Sequence, residues 1–256
     1  MNLRKYISGA LIMTEFELRK LKHDPSQVII RSIQPALWLV VFGSVFSKIR
    51  GIPTEGYSYI EFMTPGVLAQ SVMFVAMFYG ITLVWERDLG LLNKLLSTPV
   101  PHSAIVLGKA LSAGARGVFQ VIPILVLAVI MRVRIYLNPL AILAVLVLIL
   151  LFGICFSSIS MALVSVLRTR ERVMGIAQVL IMPLFFASNA IYPVAIMPGW
   201  LRAISTVNPI SYVVDAMRAL LVTGNFQRLA MDSTVTFLIT VAMVTLASVN
   251  FRKIIA

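Results

Sequence analysis

The side chains that most often carry chemistry are few in this chain and badly spaced for it. His23 and His102 are the only histidines, and both fall in polar segments outside the long apolar runs. Neither lies at the depth an intramembrane protease would need. Cys155 is the only cysteine and sits within an apolar run, so no intrachain disulfide and no cysteine-based metal site forms. No HExxH pattern occurs, so no metal site is expected. Gly108-Lys109 has Ser103 where a phosphate-cradling loop requires glycine, so the chain lacks its own nucleotide site. The acidic residues Glu15, Glu17, Asp24, Glu86, Asp88 and Glu171 group on one side of the apolar runs. Glu55, Glu61, Asp215 and Asp232 lie at or near the other. None sits at the middle of a full run, where ion-coupled carriers commonly place ionisable groups, and no inverted repeat is visible. No catalytic residue is expected, and any energy source must come from outside the chain.

The remaining residues read as a membrane domain. The chain is 59% hydrophobic and 12% charged, with a mean hydropathy of +0.95, outside the range of ordinary soluble domains. Apolar runs at 28–47, 62–84, 106–131, 139–166, 173–197 and 231–250 each reach or exceed the roughly 20 residues that span a bilayer. They are apolar on all sides, as spanning helices are and barrel strands are not. The expected fold is therefore an all-α polytopic membrane protein, a single domain over 1–256 with six transmembrane helices.

The formal net charge of +12 is distributed as a membrane topology signal. Arg4, Lys5, Arg19, Lys20, Lys22, Arg87, Lys94, Lys109, Arg168, Arg170, Arg172, Arg252 and Lys253 fall on one side. Lys48, Arg50, Arg132, Arg134, Arg202, Arg218 and Arg228 fall on the other. The more basic side reads as cytoplasmic, which places both termini there. Attraction to anionic lipid headgroups accounts for these charges. No basic face with interleaved aromatics suggests nucleic acid. Met1 to Asp24 does not read as a secretory signal, because its apolar stretch is short and charges follow it.

Residues 6–23 read as an amphipathic helix at the inner membrane surface. Ile7, Leu11, Leu18 and Leu21 share a face, and Glu17, Lys20 and Lys22 lie away from it. A solvated leader is the alternative reading. Asp24-Pro25 ends the helix. Arg31 snorkels to the inner interface from the first run, and Pro35 is a kink site. In the fourth run, Gly153, Ser157, Ser158, Ser160 and Ala162 have the spacing of close helix packing. Residues 198–224 are too apolar for a solvated loop and too interrupted to span. Asn208-Pro209 reads as an N-cap with proline at the first helical position, and Thr223-Gly224 as a C-cap. The expectation is an outer re-entrant helical hairpin in which Asp215 and Arg218 pair at i, i+3. A plain interfacial helix is the alternative.

Between the second and third runs lies the segment 86–98. Leu91, Leu92, Leu95 and Leu96 make one apolar stripe, Glu86 and Asp88 suit a helix N-terminus, Lys94 lies nearer its end, and Pro99 stops it. Periodicity alone does not separate a docking helix from one lying on headgroups. A self-sufficient carrier or channel, and a membrane scaffold that transports nothing, also stay open at this level.

The pattern Arg87-Asp88-x-Gly90-x-x-x-x-Leu95-Leu96-Ser97-Thr98-Pro99, followed by Gly108-Lys109, resembles the membrane subunits of type-two ABC exporters, close to the drug and antibiotic resistance permeases. Thr64-Pro65-Gly66-Val67 resembles that family's second-span start. Asn208 to Arg218, with Pro209 and Tyr212, resembles its motif before the last span. One departure is Val100-Pro101-His102, where the family often has a small polar residue and arginine. The resemblance implies a permease that pairs with a second permease subunit, identical or closely homologous, above two ABC ATPase subunits. It implies that ATP and magnesium bind those partners and not this chain. It makes 86–98 a cytoplasmic coupling helix, with Glu86, Arg87, Asp88, Gly90, Leu91, Leu92, Leu95, Leu96 and Pro99 as its functional residues. It makes 6–23, with Leu11, Leu18 and Leu21, the interface helix beside it. The hairpin would shape the outer exit for an amphipathic drug, lipid or lipid-linked molecule leaving across the cytoplasmic membrane.

Overall fold

The computed structural model of the chain describes residues 3–23, 26–48, 53–54, 56–98, 100–136, 138–167 and 169–251. Asp24, Pro25, Arg50, Glu55, Pro99, Arg168, Arg252 and Lys253 lie outside them. No strand occurs among the described residues. Helix α1 (Leu3–His23) precedes a first apolar helix made of α2 (Ser26–Leu37), a π turn (Trp38–Phe42) and α3 (Gly43–Phe46). The π turn follows Pro35 by one turn and widens the helix just beyond the residue expected to kink it.

Then come α4 (Tyr59–Asp88), the short α5 (Leu91–Leu96), α6 (His102–Ile130), α7 (Pro139–Val166) and α8 (Arg170–Phe186). Local chemistry sets their starts. Ser58 Oγ accepts from Glu61 N at 3.3 Å while Glu61 Oε2 accepts from Ser58 N at 2.8 Å, a reciprocal capping box for α4. Asn138 caps α7 by accepting from Leu140 N at 3.0 Å, with Pro139 at the first helical position.

Among the described residues, five helices are long and apolar enough to cross a membrane: Ser26–Phe46, Tyr59–Asp88, His102–Ile130, Pro139–Val166 and Leu229–Asn250. The run expected over 173–197 does not continue as one helix. α8 has 17 residues and stops at Phe186. Beyond it Ser188 Oγ takes up Phe185 O at 2.6 Å, and Tyr59 Oη donates to Ile191 O at 2.9 Å. The backbone groups freed by leaving the helix thus find partners, which a break inside an apolar body requires. A 3-10 turn (Val194–Ile196), α9 (Gly199–Val207) and α10 (Pro209–Arg218) follow. A π turn (Ala219–Thr223) and α11 (Leu229–Asn250) complete the order.

Helix α4 is the axis of the molecule, buried along most of its length and packed against α6 and α7. Helix α7 also carries α11 on its flank, and α1 lies on α6. The small residues of α7 do what their spacing suggested. A Cβ on Gly153 would stand 2.7 Å from Gly114 Cα on α6, and Ser157, Ser158 and Ser160 are fully buried. Ser160 Oγ donates to Met77 O on α4 at 2.7 Å. Close backbone approach at these small residues lets the apolar side chains on either side pack into one core.

Candidate functional site

The end of the bundle that carries α1 and α5 is built around buried charge. Helix α1 turns a face of Gly9, Ala10, Met13 and Glu17 onto α6. Gly108 makes this possible: a Cβ there would lie 2.6 Å from Met13 Cβ and 2.7 Å from Ala10 O. Thr14 Oγ1 also reaches Gly108 O at 3.1 Å. The next residue, Lys109, is then trapped beneath α1. Its Nζ lies 3.1 Å from Glu17 Oε1 and 2.6 Å from Glu86 Oε2, at the far end of α4. Lys20 Nζ completes the cluster, 3.1 Å from Glu17 and 3.6 Å from Glu86. The side chains of Lys109 and Glu17 are 3% and 2% exposed, so this is a desolvated network and not a surface pair. It pins α1, α4 and α6 to one another.

Burial alone would raise the Glu17 carboxyl. The ammonium groups of Lys109 and Lys20, with a hydrogen bond from Tyr79, outweigh it and hold the carboxyl below its ordinary value of 4.5. A carboxyl depressed in the folded state stabilises fully above its unfolded value. That stabilisation is lost as pH falls through the folded one. The docking of α1 is therefore expected to be constant through neutral pH and to weaken below 4.5. In Glu17→Gln this acid-dependent component should vanish. Hydrogen exchange of the α1 amides across an acid titration measures both.

The segment 86–98 differs from its expected form. Residues 86–88 are the last turn of α4, and a new helix starts only at Leu91. Gly90 separates the two at φ +71°, a backbone conformation that glycine adopts without strain. Glu86 and Asp88 accordingly sit at a helix C-terminus, where the dipole disfavours them. Cations from elsewhere compensate: Lys109 and Lys20 for Glu86, and for Asp88 the Arg170 guanidinium, 2.9 Å away at the start of α8. Arg87 Nε lies 3.3 Å from Asp88.

The leucine stripe is split in the same way. Leu92 is buried in the core, Leu95 is half-buried, and Leu91 is 44% exposed. Leu96 belongs to α5. Leu89 is 71% exposed at the turn itself. A rigid corner thus presents two bare leucines at the tip of the central helix. On α1, Leu11 is exposed while Leu18 and Leu21 are half-buried. Of that apolar face, Ile7 and Leu11 are left uncovered by the rest of the chain, and Leu18 and Leu21 are partly covered.

At the opposite end, α9 and α10 are two helices each too short to span. Asn208 caps α10 as expected: its Oδ1 accepts from Ile210 N at 3.0 Å, and its Nδ2 donates to Leu184 O at 2.6 Å. Gly224 closes the following π turn at φ +64°. Tyr212 Oη donates to Thr206 O, tying α10 back to α9. Arg218 pairs with Asp215 at 2.9 Å. It also donates to Asn189 O at 2.8 Å and lies 3.9 Å over the Phe62 ring. A cavity of about 510 Å³ opens here, with Asn189, Asp215, Arg218, Arg228 and Asp232 among its walls.

Arg218 is 11% exposed whereas Asp215 is 41% exposed, so the two should not be equivalent. Arg218→Met is expected to cost about 1–3 kcal/mol through carbonyls left without donors. Asp215→Asn is expected to cost less than about 1 kcal/mol, as for a solvent-screened pair. Thermal unfolding in detergent compares them.

Several of these groups are not legible in the sequence. Periodicity puts Glu17 on the polar face of α1, yet Glu17 is buried because its partner Lys109 comes from 92 positions away. Leu89 carries no signal of its own. Arg116, a cation inside the third apolar run, carried its own signal. Its guanidinium lies 4.6 Å over the Tyr79 ring and donates to Glu17 O at 2.8 Å.

Comparison with known proteins gives a consistent result. A family model described as ABC-2 type transporter matches residues 9–222. The chain is 30% identical to "Putative transport permease ycf38" of Cyanophora paradoxa over 220 residues, 84% of this chain and 74% of that protein. It is 29% identical over 200 residues to the daunorubicin resistance ABC transporter permease protein DrrB1 of Streptomyces coeruleorubidus, covering 78% and 70%. It is 24% identical over 195 residues to the inner membrane transport permease YadH of Escherichia coli (strain K12), covering 73% and 72%.

Proposed function

Because this chain belongs to the ABC-2 type transporter family, we propose that it is the permease subunit of an ATP-driven exporter. It carries an amphipathic drug, lipid or lipid-linked molecule across the cytoplasmic membrane. A separate ABC ATPase, in two copies, binds ATP and magnesium and supplies the energy. A second permease subunit, identical or homologous, completes the pathway. Both termini, α1 and α5 face the cytoplasm. α8, whose 17 residues reach about 25 Å, serves as the fifth of six spans and α11 as the sixth. The hairpin of α9 and α10 is re-entrant and shapes the outer exit.

The observation that carries this reading is the corner at Leu89–Leu91. Two exposed leucines stand on the end of the most buried helix, and ion pairs to α1, α6 and α8 brace that end. A partner that grips the corner moves α4 without bending it, and α4 is packed on α6 and α7. Differential contacts of this kind let nucleotide state select between two arrangements of the spans.

Cross-linking tests the docking. The native Cys155 is buried, so Leu89→Cys and Leu91→Cys supply the accessible thiols. Each should cross-link to a co-expressed ATPase, and a cysteine at Val207 on the hairpin should not. Equal cross-linking from both ends would sink the assignment.

A further inference from the structure

Beyond its proposed gating role, the chain holds an unclaimed positive site beside α2 and α4. Arg31 lies on α2, in the second turn of the first apolar helix, and has no ion-pair or hydrogen-bond partner among the described residues. It lines a groove of about 280 Å³ whose walls include Ile30, Phe74, Phe78 and Trp85. Phe74 and Phe78 stack with ring centroids 6.2 Å apart, giving that wall a flat apolar surface. On its other side Arg31 borders a small cleft shared with Arg116 and Gln120. Among the described residues, neither the groove nor the cleft has a carboxylate in its walls. The described acids at this end are already engaged: Glu17 by Lys109 and Lys20, Glu86 by Lys109 and Lys20, and Asp88 by Arg170. The Arg31 guanidinium therefore imposes positive potential on a largely apolar slot, and Arg116 stands behind it across the small cleft.

We propose that this slot binds an anionic phospholipid, its headgroup on Arg31 and an acyl chain along Phe74, Phe78 and Trp85. Arg31 is the sixth residue of its helix, about 8 Å from the end, a depth from which arginine reaches headgroups. Trp85 sits near the same end of α4, where tryptophan marks the interface. A zwitterionic lipid also offers a phosphate, but its ammonium would meet the same unpaired guanidinium. Net negative charge is what the site lacks. The binding does not depend on transport; only the choice of the cytoplasmic leaflet rests on the orientation proposed above.

Trp85 is a built-in reporter. With Trp38→Phe and Trp200→Phe, the full chain in phosphatidylcholine vesicles carries Trp85 as its only tryptophan. Brominated phosphatidylglycerol and brominated phosphatidylcholine are then compared as quenchers. The expected result is half-maximal quenching at a roughly fivefold lower mole fraction of the anionic lipid, the factor for one basic side chain at a membrane surface. Arg31→Gln should abolish that preference without changing emission in unbrominated vesicles, and Arg31→Lys should retain most of it. Equal quenching by the two lipids, a preference that survives Arg31→Gln, or no quenching by either would each overturn the proposal. The last would mean that protein covers the groove. None of these outcomes bears on ATPase docking, so transport and lipid binding fail separately.

Discussion

Lys109→Met is expected to cost about 3–5 kcal/mol of folding stability, because it leaves Glu17 and Glu86 buried without their shared cation. The lysine is 3% exposed, so water cannot replace it. Lys20 remains for Glu17 and Glu86, but it is 46% exposed and holds Glu86 only at 3.6 Å. The loss is one of uncompensated charge and not of packing, since methionine nearly matches the lysine stem in volume. Adding Glu17→Gln and Glu86→Gln to Lys109→Met should therefore restore most of the stability. A loosely held α1 should also appear in Lys109→Met as faster hydrogen exchange. Chemical unfolding in mixed micelles measures the cost. A single substitution no worse than about 0.5 kcal/mol would show the cluster to be ornamental.

The second large effect lies at the corner. Leu89→Asp combined with Leu91→Asp is expected to reduce affinity for the ATPase by at least about 100-fold. Each aspartate would both remove an apolar contact and bring an unpaired carboxylate into the docked surface, which is costly unless it finds a partner. Both residues are exposed in the isolated chain, so the fold should tolerate the change. Leu92→Asp is the contrast: Leu92 is 1% exposed, and its substitution should unfold the corner itself. Copurification of the ATPase, read beside the thermal midpoint of the permease, separates the two. Retention of the ATPase by a folded Leu89→Asp, Leu91→Asp variant would place the docking surface elsewhere.

Sequence patterns exposed what depends on nearby residues. Asn208-Pro209 announces a helix start because cap and first residue adjoin, and the structure places both there. Asp215 and Arg218 meet because they are three apart on one helix. The long apolar runs announce helices because nothing else satisfies a backbone in hydrocarbon. Interactions distant in sequence were not visible. The Glu17–Lys109 pair joins elements 92 positions apart, and a lone glutamate on an amphipathic helix reads as solvated. Gly90 was legible as a residue but not as a break. The leucines on either side keep helical spacing, and only the φ of +71° shows that the chain turns there. The fifth run failed for a related reason. Its composition is apolar to Met197, yet Ser188, Asn189 and Pro193 let the backbone leave the helix at Phe186 and still find partners.

If this chain is a passive gate, as proposed, a separate ATPase moves it through the Leu89–Leu91 corner. Reconstitution in proteoliposomes tests it most directly, with the purified chain alone, with its ATPase, and with the ATPase plus the double aspartate variant. ATP-dependent movement of a fluorescent amphiphile is expected only when the intact corner and the ATPase are both present. Accumulation driven by the chain alone under an ion gradient, or ATP-driven movement through the double aspartate variant at the native rate, would contradict it.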